Sequence, residues 1–273
     1  MANNLAKRAG PAAPDATSRL KSALMEDALG RMLDDTYREN QPVPGTPRVI
    51  LALANHAQAA GWDRAKLLQH AMFKAAAGSR LEMKFAFYGA DDVNGVRRCR
   101  ITTRWITDPD DMAAVIDRAE CRCGCYVNIR DVLAQAVKEA EERPLRAVII
   151  VGDAFHDDQD GLDEAAISAN RLRRAGTRVF LLQLGDDPTT ERRLQYLARV
   201  SGGAYFRFDP RTQERQFSEL WQAVSAYAAG GEEAVAMTGG QAATLLLQHL
   251  MQEPMQIIEQ RASPLAHRTN LKR

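Results

Sequence analysis

"RAVIIVGDAFHDDQDGLDEAAISANRLRRAGTRVFLLQLGDDPTTERRLQYLARVSGGAYFRFD", residues 146–209, decides the fold. It opens on an uninterrupted apolar run, 147–151, and closes that run with Gly152 and Asp153. A second, mostly apolar run, 179–184, broken only by Gln183, ends at Gly185, and a third, aromatic-rich run occupies 204–208. Short apolar runs bounded by turn residues read as strands buried on both faces. The segments between them, 161–176 and 188–203, repeat apolar residues at helical spacing. Gly176 and Gly202 fit helix C-terminal stops. Strand and helix alternating in this way predict a mostly parallel sheet covered by helices on both faces.

The same alternation extends upstream. "RVILALAN" (48–55) and "MKFAFYG" (83–89) read as strands, and 62–76, 108–120 and 128–142 as helices. Asp108 before Pro109 suits an N-cap followed by a first-turn proline. Asn94-Gly95 is a strong hairpin signal, so the alternating stretch 96–107 is expected as one antiparallel edge strand. Outside this sheet domain, placed at 47–228, lie two extensions. Residues 1–46 comprise an Ala- and Pro-rich start and an amphipathic helical stretch carrying Leu20, Leu24, Ala28, Met32 and Tyr37. Residues 229–273 read as a glycine-rich hinge, a short apolar-faced helix and a flexible tail.

Bulk properties remove several classes of function. Lys plus Arg number 36 against 35 Asp plus Glu, so no global field draws the 273-residue chain to nucleic acid or to an anionic membrane. The start lacks the apolar core of a secretory signal, and no run approaches the roughly 18 apolar residues of a membrane helix. Four cysteines are too few for a disulfide scaffold. A cytoplasmic protein is expected. No glycine-rich phosphate loop follows the first strand, and no G-x-S-x-G elbow is present. No nucleophile and base can be paired among five scattered histidines, so an enzyme is not expected.

The quoted stretch resembles the second half of a von Willebrand factor A (VWA) domain. The marks are a strand ending in Asp153, a strand leading to Gly185-Asp186-Asp187, and a helix ending in Ser201-Gly202-Gly203 before an aromatic last strand. "GCYVNIRDVLAQAV" and "DRAKLLQHAMFKAA" are similar to two further helices of that family, so the likeness spans about residues 47–228. It implies a Rossmann-like α/β fold and a divalent-cation site, the metal-ion-dependent adhesion site, at the carboxyl ends of the strands. Carried over residue by residue, the ligand positions fall on Ala54, His56, Gln58, Val127 and Asp153. Only Asp153 is retained. Mg²⁺ demands near-octahedral oxygen ligands, which Ala and Val side chains do not offer, so the usual site is not expected.

What the resemblance then implies is a non-catalytic interaction module, an adaptor or scaffold in a bacterial-type cytoplasmic assembly, its partner a protein and its neighbours ATPases or chaperones. The partner-binding residues expected on the apex loops are Asn55, His56, Gln58, Tyr126, Asp153, His156 and Asp157. The alternative is a metal- or redox-binding protein. Cys121, Cys123 and Cys125 precede the 128–142 helix, and with His56 or His156 they offer soft ligands suited to zinc. Cys-x-Cys-x-Cys is not the usual zinc spacing, and the preferred expectation is reduced thiols with no cofactor.

Overall fold

The computed structural model describes residues 45–54, 81–88, 100–101, 104–118, 129–155, 158–208 and 214–257. Its strands are β1 (Arg48–Ala54), β2 (Glu82–Tyr88), β3 (Arg100–Ile101), β4 (Ala147–Gly152), β5 (Arg178–Leu184) and β6 (Ala204–Phe208). Its helices are α1 (Pro109–Arg118), α2 (Ile129–Glu142), α3 (Gln159–Arg174), α4 (Pro188–Ser201), α5 (Glu214–Thr238) and α6 (Gly240–Leu250).

The apolar runs take the middle of the sheet because neither face of them can be left to water. All seven residues of β1 are buried. The sheet order is β3-β2-β1-β4-β5-β6, with five strands parallel. The edge strand expected over 96–107 is realised among the described residues as a two-residue antiparallel pairing of β3 with β2 and an isolated bridge from Met83 to Ile106. The helix expected at 62–76, the Asn94-Gly95 turn and the amphipathic stretch before residue 45 lie outside the described residues.

Local chemistry sets the helix ends. The Asp108 carboxylate accepts from the Asp110 and Asp111 amides, Asp158 from Gly161, and Asp187 from Thr189 and Thr190. Each satisfies amides that open a helix with no intrahelical partner. Gly202 ends α4 at φ 65°, a left-handed conformation that glycine adopts without penalty. At Gly203 the constraint is space: a Cβ there would overlap the Val179 backbone.

Helices α2, α3 and α4 cover one face, where Val132, Leu133, Ala165, Ala169, Leu194 and Leu197 join Ile50, Val148, Ile150 and Leu181 in one core. On the opposite face α5 brings Tyr227 edge-on to Phe180 and Phe217 edge-on to Phe208, each at 5.2 Å between ring centres. The glycine-rich hinge expected from residue 229 is narrower than that. "EEAVAM" is good helix-forming sequence, so α5 resumes directly after the one non-helical residue, Gly231 at φ 74°. The chain bends again at Gly239 and Gly240. Leu246 and Leu250 of α6 are buried, and His249 stands edge-on to Phe206 at 5.2 Å, where burial lowers its pKa. The irregular segment that follows returns to the sheet domain through Met255, whose amide donates to the Arg199 carbonyl.

One feature of the core is charged. Beneath the last turns of α2, at the amino ends of β1 and β2, Arg48, Glu82, Lys84 and Glu139 are all less than a tenth exposed. Lys84 donates to Glu139 at 2.5 Å, Arg48 to Glu139 at 3.3 Å, and Arg143 to Glu82. The Arg48 guanidinium lies 3.6 Å from the centre of the Trp105 ring. Burial, and after it the Arg143 charge, lower the pKa of Arg48, while Glu139 and Glu82 oppose that shift. Desolvated charges hold only while paired.

Glu139→Leu leaves Lys84 and Arg48 without their shared acceptor and is expected to cost about 3–5 kcal/mol in urea unfolding. Lys84→Met combined with Glu139→Leu should recover a substantial part of that loss. A single-variant cost below about 1 kcal/mol, or no recovery in the pair, would show that the network does not hold the helix in place.

Candidate functional site

In an open parallel sheet, ligands gather where strands end at their carboxyl edge. Here that edge is made by Ala54 of β1, Tyr88 of β2, Gly152 of β4, Leu184 of β5 and Phe208 of β6. β1 lies between β2 and β4, yet the Tyr88 hydroxyl donates to the Val151 carbonyl of β4 at 3.0 Å. The ring therefore crosses above the end of β1. It does so because Ala54 is small and Gly152 has no side chain. A Cβ on Gly152 would overlap the Tyr88 hydroxyl and stand 3.0 Å from the Ala54 Cβ. Tyr88 is 1% exposed and Ala54 7%, so these residues form a closed floor.

The chain leaving β4 rises from this floor. Asp153 is half-buried and engaged by neighbouring groups. Two residues on, Phe155 is buried and clamped to α4: its amide donates to Thr190 Oγ1 at 3.2 Å, and its carbonyl accepts from Arg193 Nη1 at 3.2 Å. The Arg193 guanidinium also lies 5.3 Å from the centre of the Phe155 ring. A second latch holds the loop after β5. Gln183, fully buried, donates to the Asp187 carbonyl at 3.0 Å and accepts from the Tyr205 hydroxyl at 2.8 Å. Burial, with the Glu191 charge added, pushes the Tyr205 phenol up to about 12, so it remains a neutral donor.

Of the residues singled out from the sequence, Asp153 is placed at this edge. Asn55, His56, Gln58, Cys121, Cys123, Cys125, Tyr126, His156 and Asp157 lie outside the described residues. Among the described residues, no three His, Cys, Asp or Glu side chains converge to hold a metal ion. The residues that sequence reasoning missed are Tyr88, Phe155, Thr190 and Arg193. A hydroxyl-bearing aromatic directly after the apolar stretch Phe85–Phe87 was the available signal for Tyr88.

These features define an α/β domain of the Rossmann-like class, with its helices on both faces and a loop-built carboxyl edge. No family model matches the sequence, and no curated protein matches it significantly. Among solved structures, it is similar to a von Willebrand factor type A protein from Catenulispora acidiphila, with a TM-score of 0.52 and 14% identity over 66% of this chain and 43% of that one. Proximal thread matrix protein 1 from the mussel byssus, with a zinc-occupied metal-ion-dependent adhesion site, gives a TM-score of 0.53 at 13% identity over 66% of this chain and 46% of that one. The human COPII-coat protein Sec24c gives 0.50 at 12% identity, over 68% of this chain and 33% of that one. The chain thus spans less than half the length of each. The domain has the VWA fold.

Gly152→Ala should destabilise the protein by about 1–3 kcal/mol, since the floor has no room for a methyl group. In Tyr88→Phe the offending oxygen is gone, and adding Gly152→Ala to that background should cost measurably less. Strict additivity in thermal unfolding would mean that Tyr88 does not lie over Gly152.

Proposed function

We propose that this chain is a non-catalytic protein-interaction module, an adaptor or scaffold in a cytoplasmic assembly, whose apex loops grip a protein partner without the divalent cation usual for the fold. The observation that carries the reading is the closed floor of Ala54, Tyr88 and Gly152. Where a cation site would need oxygen ligands rising from β1, an alanine lies beneath a tyrosine ring. The loops above it are fixed from the α4 side by Phe155, Thr190 and Gln183, as suits a surface that presents shape to a partner. The human coat protein, similar in fold, is by its description a component of an assembly. That is an analogy of fold, and fold alone does not set function.

In this reading Asn55, His56, Gln58, Tyr126, Asp153, His156 and Asp157 form the contact surface, and an ATPase or chaperone complex is the kind of assembly served. The test is capture by the immobilised full chain from a lysate of its source cell, with and without chelator. The same partner is expected in both, and Asp157→Arg combined with Asn55→Arg should abolish its capture while leaving the melting temperature unchanged. Release by chelator, reversed by added Mg²⁺, would replace this reading with a cation-dependent one. Release reversed by Zn²⁺ alone, and abolished by Cys123→Ser, would move the chemistry to the cysteine loop.

A further inference from the structure

The amino ends of the strands, opposite the apex, carry an unusual density of arginine. Parallel strands alternate with helices that run back, so the last turns of α2, α3 and α4 and the starts of β4 and β5 meet at this one end. There the sequence places Arg143 and Arg146 before β4, Arg171 and Arg174 at the end of α3, Arg178 at the start of β5, and Arg199 at the end of α4. Backbone bonds align three strand starts directly: the Arg146 amide donates to the Arg48 carbonyl at 2.9 Å, and the Arg178 amide to the Arg146 carbonyl at 3.4 Å. Arg146, Arg171 and Arg199 are exposed and have no ion-pair partner among the described residues.

Helix macrodipoles account for part of this, because a cation near a helix C-terminus is favourable. They do not account for Arg146, which precedes a strand, nor for several cations at one helix end. Of the carboxylates at this end, Glu82 and Glu139 are spent inside, while Glu141 and Glu142 stay exposed on α2. Glu82 and Glu139 are buried and shared among three cations, Arg48, Lys84 and Arg143, so the network beneath the surface itself carries an excess of one positive charge.

We propose that this end of the sheet is a docking surface for an acidic segment of a partner polypeptide. Each exposed position named above is arginine, whose planar fork binds a carboxylate with two parallel hydrogen bonds. Helices packed about 8–10 Å apart put the ends of α2 and α4 about 20 Å from each other, the reach of about six extended residues. A polyphosphate backbone suits the surface less well. The Trp105 ring, the aromatic group in contact with the network, already carries the Arg48 guanidinium and cannot also stack on a base. Exposed Glu141 and Glu142 flank the arginines at the end of α2 and repel any anion there, which leaves Arg146, Arg171 and Arg199 as the positions open to a carboxylate.

The experiment measures fluorescence anisotropy of a labelled oligoglutamate peptide of about ten residues on the full chain, at rising salt. The base variant is Arg146→Ser with Arg171→Ser and Arg199→Ser. A charge-matched control, Arg192→Ser with Arg207→Ser and Arg215→Ser, removes three arginines at the other end of the strands. Thermal unfolding confirms that both are folded. Saturable binding that weakens with salt, falls at least about tenfold in the base variant and holds in the control supports the proposal. No saturable binding at low salt, or an equal loss in both variants, overturns it. Tighter binding of an oligothymidylate of equal length also overturns it, in favour of a nucleic-acid surface.

Discussion

Glu139 is the side chain on which the arrangement of the domain turns. It projects from the last turns of α2 into a place from which water is excluded, and there it accepts from Lys84 of β2 and Arg48 of β1. An unpaired carboxylate at that depth costs several kcal/mol, so α2 can sit on the sheet only in the one position and rotation that bring the three charges together. Apolar packing alone tolerates sliding, whereas a buried ion pair fixes a register. Once α2 is held, its first residue, Ile129, is fully in the core, at the end of the helix nearer the carboxyl edge of the sheet.

That edge is built from the floor upward. Tyr88 closes it, Ala54 and Gly152 make room for the ring, and Phe155 and Gln183 tie the loops after β4 and β5 to α4. The domain consequently has two ends of different chemistry. One is a loop-built apex over a closed floor, and the other an arginine-rich base over a buried charge network.

Much of the fold was legible because its signals are local. The run Ala147–Val151 has nothing to offer water, Asp108 before Pro109 caps α1, and Gly202 ends α4, each by chemistry contained within a few residues. The charge network was not legible, because its partners are 55 and 91 residues apart and Lys84 in a strand reads as solvent-facing until Glu139 is placed above it. Tyr88 was missed for the same reason: its acceptor is 63 residues away, across an intervening strand. The glycine-rich stretch misled in the other direction. Composition marked the whole of it as a hinge, yet only the residues that take positive φ bend the chain, and the Glu- and Ala-rich residues between them remain helical.

The claim that most needs measurement is that the apex works without a hard divalent cation. Mn²⁺ takes the same octahedral oxygen sites as Mg²⁺ and gives a free-ion electron paramagnetic resonance signal that disappears on binding. Titrated into the chelator-stripped full chain, Mn²⁺ is expected to keep its free-ion signal throughout, with no saturable loss. Disappearance of one equivalent of that signal, restored in Asp153→Ala, would contradict the account and put a cation at the head of β4.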